Sequence, residues 1–160
     1  MYITIDKYIA LYGVIEESAF NRFSFEACKY IDRATTGIDG VKKLKAYFPS
    51  NEDSSESVSR CAAEIVNVLL QINEAEKSAS VGRGYVHTEN GVHGKVVTSV
   101  AAGNESVSYS TANEATSYDA AVSDLSARDV LVSKIIRKYL SGETDANGVN
   151  LLYLGVYPRV

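Results

Sequence analysis

Between Val58 and Glu76 the residues Val58, Cys61, Ala62, Ile65, Val68, Leu69 and Ile72 recur at spacings of three and four, the period of one helical face. Val66 and Leu70 widen that face, so this helix reads as buried on more than one side. A helix apolar around so much of its circumference is unstable alone. It has to be enclosed by other helices, and the rest of the chain supplies them.

Thr4 suits the N-cap of a helix running to Tyr12, with Gly13 as its stop, and Ile5, Tyr8, Ile9 and Tyr12 give its stripe. A second helix is expected from about Glu16 to Ala34. Glu16 and Glu17 favour its positive end, Phe20, Phe23, Ala27 and Ile31 form its core stripe, and Cys28 and Tyr30 lie at the stripe's edges. Thr35 to Gly40 reads as a turn, Val41 to Phe48 as a short helix closed by Pro49, and the polar, acidic Ser50 to Ser57 as a loop running into a helix N-terminus. A last helix is expected from Ala120 or Ser126 to Leu140. Leu125, Val132, Ile136 and Tyr139 form its stripe, flanked by Leu131, Ile135 and Leu140, and Lys134, Arg137 and Lys138 read as a solvated helix end.

The composition changes between Ser78 and Ser117, which hold five of the 11 glycines and both histidines and show no helical period. Val81 to Gly91 reads as an irregular loop. Lys95 to Ala102 and Glu105 to Thr111 read as the strands of a β-hairpin about the turn pair Gly103-Asn104. An isolated hairpin is marginal in water, so Val96, Val100, Gly103, Asn104, Val107 and Tyr109 are candidates for an interface, with strand addition to another subunit favoured over docking on the helices. After the turn-rich Asp145 to Asn150 comes a nearly apolar run, Leu151, Leu152, Tyr153, Leu154, Gly155, Val156 and Tyr157. Left free it would be an aggregation hazard, so it is expected to bury against its own core or against a partner.

These elements give one domain spanning residues 1–160. The fold class expected is mainly α: a small helical bundle of four to five helices with a long Gly/Ser/Thr-rich excursion carrying a β-hairpin and an extended C-terminal arm. The helical core covers about 1–77 and 118–142, the loop and hairpin about 78–117, and the arm about 143–160. At 160 residues the chain can bury a sizeable core without disulfides. Its formal net charge of -4 argues against grasping a nucleic-acid backbone. No apolar run approaches the ~20 residues of a membrane span, and the first residues lack a signal peptide's basic start and long apolar stretch, so a soluble chain made in the cytosol is expected.

Chemistry-bearing motifs are sparse. Cys28 and Cys61 match no metal spacing and lie in apolar helical patterns, as buried thiols do. His87 and His93, six apart, would share a face if they lay on one strand, but only Glu89 offers a carboxylate between them. Asp119, Asp124 and Asp129 fall at intervals of five and do not hold one helix face. There is no Gly-rich phosphate loop and no nucleophile elbow. No catalytic, cofactor or metal site is expected, and function is sought in assembly.

Met1-Tyr-Ile-Thr4 with Tyr8 and Leu11-Tyr-Gly13, Phe20-Asn-Arg22, Ile31-Asp-Arg33, Asn90 to Val97, Glu105 to Ser110, and above all Tyr139 to Tyr153 followed by Gly155-Val-Tyr-Pro158 carry a resemblance that covers nearly the whole chain. In these stretches the sequence resembles the head–tail connector (adaptor, or head completion) proteins of tailed bacteriophages and prophages of Gram-positive bacteria. The resemblance implies a structural virion protein, not an enzyme, needing no cofactor. Such proteins assemble in the host cytoplasm into a ring, typically of twelve copies, in the neck of the virion. The ring binds the portal protein, extends the channel through which dsDNA passes without sequence-specific binding, and joins a downstream neck, stopper or tail protein. The hairpin would then add strands across the subunit seam or project along the axis, and the arm would dock on the portal or an adjacent subunit. Deleting Leu151 to Val160 is expected to leave the helical core folded. The alternative is a small oligomeric binding or regulatory module that uses the apolar arm for one partner.

Overall fold

A computed structural model describes the backbone of residues 1–81, 83–88, 91–96, 99–102, 105–108 and 124–158, and the side chains of 1–77 and 124–158. Among the described residues there are five helices: α1 (Ile5–Tyr12), α2 (Glu17–Thr35), α3 (Lys43–Ala46), α4 (Glu52–Val81) and α5 (Leu125–Leu140). The protein is mainly helical.

α4 is the centre. Val58, Cys61, Ala62, Ala63, Ile65, Val66, Val68, Leu69 and Ile72 are all buried. Phe20, Phe23, Ala27 and Ile31 of α2 cover one side, Val132, Ile135, Ile136 and Leu140 of α5 another. Tyr8 of α1 meets Phe20 with ring centroids 5.9 Å apart and donates its hydroxyl to Asn67 of α4 at 3.3 Å. α5 runs antiparallel to α4: Arg128 pairs with Glu76 at 2.5 Å, while near the other end Lys138 pairs with Glu64 at 2.7 Å and Tyr139 donates to Glu64 at 2.6 Å. No described helix is long and apolar enough to cross a membrane.

The ends of α1 follow local rules. The Lys7 amide donates to Thr4 Oγ1 at 3.4 Å, and Gly13, with φ at 92°, terminates the helix where a side chain would be strained. At α5 the Ser126 amide donates to Asp124 Oδ1 at 2.8 Å, so the later of the two expected starts applies. Other expectations change. α3 is four residues, shorter than Val41 to Phe48. Leu125, expected in the α5 stripe, is 73% exposed, because it occupies the first turn beyond the end of the core. α4 starts at Glu52, early in the stretch expected to run from a loop into a helix N-terminus, and extends to Val81, beyond the expected end near Glu76. Glu52 and Asp53 occupy its first turn, where acidic charge is favoured. Ser54 and Ser57 donate to Glu143 at 2.6 and 3.0 Å, tying that polar turn to the chain beyond α5.

Among the described residues of the excursion there are two antiparallel pairs. β1 (Arg83–Thr88) pairs with β2 (Gly91–Val96), and β3 (Ser99–Ala102) pairs with β4 (Glu105–Ser108). β1 falls in the stretch expected to be an irregular loop. The Asn90-Gly91 dipeptide, a strong turn signal, is the clue that the loop reading passed over. Lys95 and Val96, expected at the start of the later hairpin, pair instead with Gly84 and Arg83. His87 and His93 are on two strands, opposite Val92 and Val86 respectively, so the one-strand arrangement considered for a metal pair does not occur.

Candidate functional site

The C-terminal run is anchored by the α2–α3 corner. Gly40, with φ at 79°, turns the chain back so that Thr36 and Lys42 bridge. α3 then places Lys43 in the interior with no exposed surface. The Lys43 ammonium donates to three main-chain carbonyls of the arm, those of Leu151 (2.9 Å), Asn150 (3.2 Å) and Tyr153. Three donors thus meet three acceptors, which is what burial of a lysine requires. Burial pulls its pKa down, and the charges of Asp145 and Asp39 partly oppose that.

Two aspartates complete the clasp. Asp145 is buried; its Oδ1 accepts the amides of Asn147 and Val149, both at 2.9 Å, and its Oδ2 accepts the Tyr157 hydroxyl at 2.7 Å. Gly148, with φ at 76°, closes that loop. Asp39 Oδ2 accepts the Tyr157 amide at 2.7 Å and its Oδ1 accepts the Val41 amide at 3.2 Å; the Tyr157 bond first, then that of Val41, holds the carboxyl below its usual range. The rings of Tyr47 and Tyr157 stack with centroids 4.8 Å apart. The Ile38 amide donates to the Leu154 carbonyl at 2.9 Å. Gly37 is required by proximity: a Cβ there would lie 2.7 Å from the Gly155 carbonyl oxygen.

The arm residues therefore divide. Leu151 and Tyr157 are buried, and Leu152 is half-buried against the core. Tyr153, Leu154 and Val156 remain 49%, 56% and 66% exposed, beside Ile38 at 82%. The arm is part of the chain's own core on one side and an apolar ledge on the other. This corrects the expectation that Leu151 to Val160 can be removed with the core left intact, because Lys43 would lose two of its three acceptors and Leu151 would leave a hole.

Of the hairpin candidates, Val96 pairs with Arg83, and Val100 pairs with Val107. Gly103, Asn104 and Tyr109 lie outside the described residues. Arm and clasp are brought together. Lys43, Asp39, Asp145 and Tyr47 were not singled out from sequence. For Asp145 the signal was its turn sequence; for Lys43, one lysine among several, there was none.

The thiols are protected. Burial pushes Cys61 up to about 12 and, more than the opposing effect of the Tyr2 main chain, raises the half-buried Cys28. Among the described residues no group of three or more His, Cys, Asp and Glu side chains is placed to hold a metal ion. What the site offers chemically is a rigid, mainly apolar contact surface. No protein-family model, curated protein or solved structure matches the chain.

Proposed function

We propose that this chain is a head–tail connector of a tailed-bacteriophage neck. It forms a ring, typically of twelve copies, that binds the portal protein, extends the DNA channel and receives the downstream neck or tail protein. Its role is structural, without cofactor or metal. The observation that carries the reading is the coincidence at the C-terminus: the run from Tyr139 to Pro158, where the resemblance is most specific, holds Tyr153, Leu154 and Val156 outward on a clasped ledge. An apolar surface kept outward by buried polar anchors suits contact with a partner better than a solvent-facing role.

The hairpin about Gly103-Asn104 is assigned to contact between subunits or along the ring axis, since two-stranded pairs gain stability by adding strands. The acidic balance of -4 per copy suits a channel that DNA traverses without sticking. The deciding experiment is mass photometry and negative-stain microscopy of the protein alone and mixed with the phage's portal. Rings with a central channel in either sample are expected. A small closed oligomer that ignores the portal would reject the connector and favour a binding module that uses the same ledge.

A further inference from the structure

α2 presents a second surface, which adjoins the clasp only at Thr36 and Lys42. Phe23 faces inward, but Phe25 is 60% exposed, with the Lys29 ammonium 4.8 Å from its ring centroid. Beside them, grooves on either side of the Lys45–Asp32 ion pair (3.0 Å) are lined by Met1, Lys29, Arg33 and Lys42. Of the acids on this surface, Asp32 is engaged by Tyr2 and Lys45 and Asp129 by Tyr30, while Glu26 also lines the groove. Arg33 and Lys42 are exposed and, among the described residues, form no ion pair. On a chain of net charge -4 this is an aromatic and cationic socket.

The opposite end of α2 has complementary chemistry. Gly13 ends α1 and leaves Val14 91% exposed, and Glu16 and Glu17 follow it, both exposed. Glu16 accepts the Ser18 hydroxyl at 2.5 Å, while Glu17 has no ion pair among the described residues. This apolar and acidic knob is fixed between two helices. It lies some 20–25 Å from the socket's cations, taking 1.5 Å of rise per residue, so it cannot fold back onto the socket of its own chain.

We propose that the knob formed by Val14, Glu16 and Glu17 of one copy seats in the Phe25, Lys29, Arg33 and Lys42 socket of the next. This inference rests on the ring reading above and supplies its subunit seam. Knob and socket sit at different ends of one helix, so the contact is head-to-tail, the kind that closes a ring instead of stopping at a dimer. Val14 covers Phe25 while the carboxylates meet Arg33 and Lys42, and opposite charge steers the copies into register. The grooves also carry the carboxylates of Glu26, Asp32 and Asp129, which favours a protein segment over duplex DNA.

The test uses two full-length variants, Arg33→Glu/Lys42→Glu and Glu16→Lys/Glu17→Lys. All four positions are exposed, so each variant should keep its helical circular dichroism and melt within a few degrees of the parent. Mass photometry, alone and on the portal, should show each variant assembling at least tenfold more weakly than the parent. Mixing the two should restore assembly, because every seam then joins opposite charges. Rings from either variant at the parent's concentration overturn the socket and leave the ring reading standing, as does a mixture that stays unassembled. Salt-dependent duplex-DNA binding that is lost in Arg33→Glu/Lys42→Glu with unchanged ring assembly would assign the surface to DNA and overturn the seam. A parent chain that never gathers in several copies, alone or on the portal, defeats both.

Discussion

A lysine with no exposed surface normally signals an ion pair, yet the nearest partners of Lys43 are three peptide carbonyls. Partial charges satisfy its hydrogens and the carboxylates of Asp39 and Asp145 act at longer range. The arrangement fastens backbone instead of side chain, so it fixes the path of the arm whatever residues face outward. Lys43→Met keeps the volume but leaves the buried Leu151 carbonyl and the part-buried carbonyls of Asn150 and Tyr153 without their donor. The expected cost is roughly 2–4 kcal/mol, a fall in Tm of about 5–12 °C for a chain of this size. Lys43→Arg should not rescue it, because a planar guanidinium does not reproduce the three-way geometry of an ammonium. Thermal unfolding followed at 222 nm measures both; an unchanged Tm in Lys43→Met would show that the clasp contributes nothing net.

At the scale of elements, the arm's two faces make separable demands. Leu154→Asp with Val156→Asp alters only exposed positions, so Tm should shift by less than about 2 °C while affinity for the partner falls tenfold or more. Deleting residues 151–160 should instead lower Tm strongly, since Leu151 leaves the core and Lys43 loses carbonyl partners at Leu151 and Tyr153. Calorimetry paired with a pull-down on the portal separates the cases; equal losses of stability and binding in the double substitution would mean that the ledge is core. The same contrast explains what the sequence makes legible. α1 and the start of α5 are marked by caps that bond within a few residues, Thr4 to Lys7 and Asp124 to Ser126, and the cores of α2 and α4 by their apolar period. The first turns of α4 are polar and have no such period; they are joined to Glu143, 89 residues on from Ser54. The clasp is less legible still: Lys43 meets Asn150 across 107 residues, and nothing local distinguishes it from Lys42 or Lys45. Hence the arm's composition announces that it must be buried, but only the folded chain shows which half is.

For the molecule as a whole, buried titratable groups determine how stability follows pH. Tyr2, Tyr8, Tyr30, Tyr139 and Tyr157 hold their protons more tightly than a free phenol at 10.0, burial being the first cause in each, and Cys61 is moved from 9.0 to about 12. A folded pKa above the unfolded one means that the unfolded chain releases the proton first. Each such group therefore contributes its full stability below its unfolded pKa and loses it as pH rises beyond. Lys43 has the opposite sign: its folded pKa lies below 10.5, so the native state sheds that proton first and gains relative stability across the interval. Cys28 is raised by burial as well, so five phenols and two thiols outweigh one amine. Tm should be level between about pH 6 and 8 and fall steadily above about pH 9. On the acid side Glu56, lowered by Lys7 and Arg60, and Asp39 lose their smaller contributions only as pH drops below 4.5 and 3.8. Thermal melts from pH 6 to 11 check this; a Tm that holds level to pH 11 would contradict the buried phenols. Repeating the series with Lys43→Met isolates the opposing group. Without its amine the variant should lose Tm more steeply than the parent above pH 9, and parallel curves would show that the Lys43 ammonium titrates alike in the folded and unfolded chain.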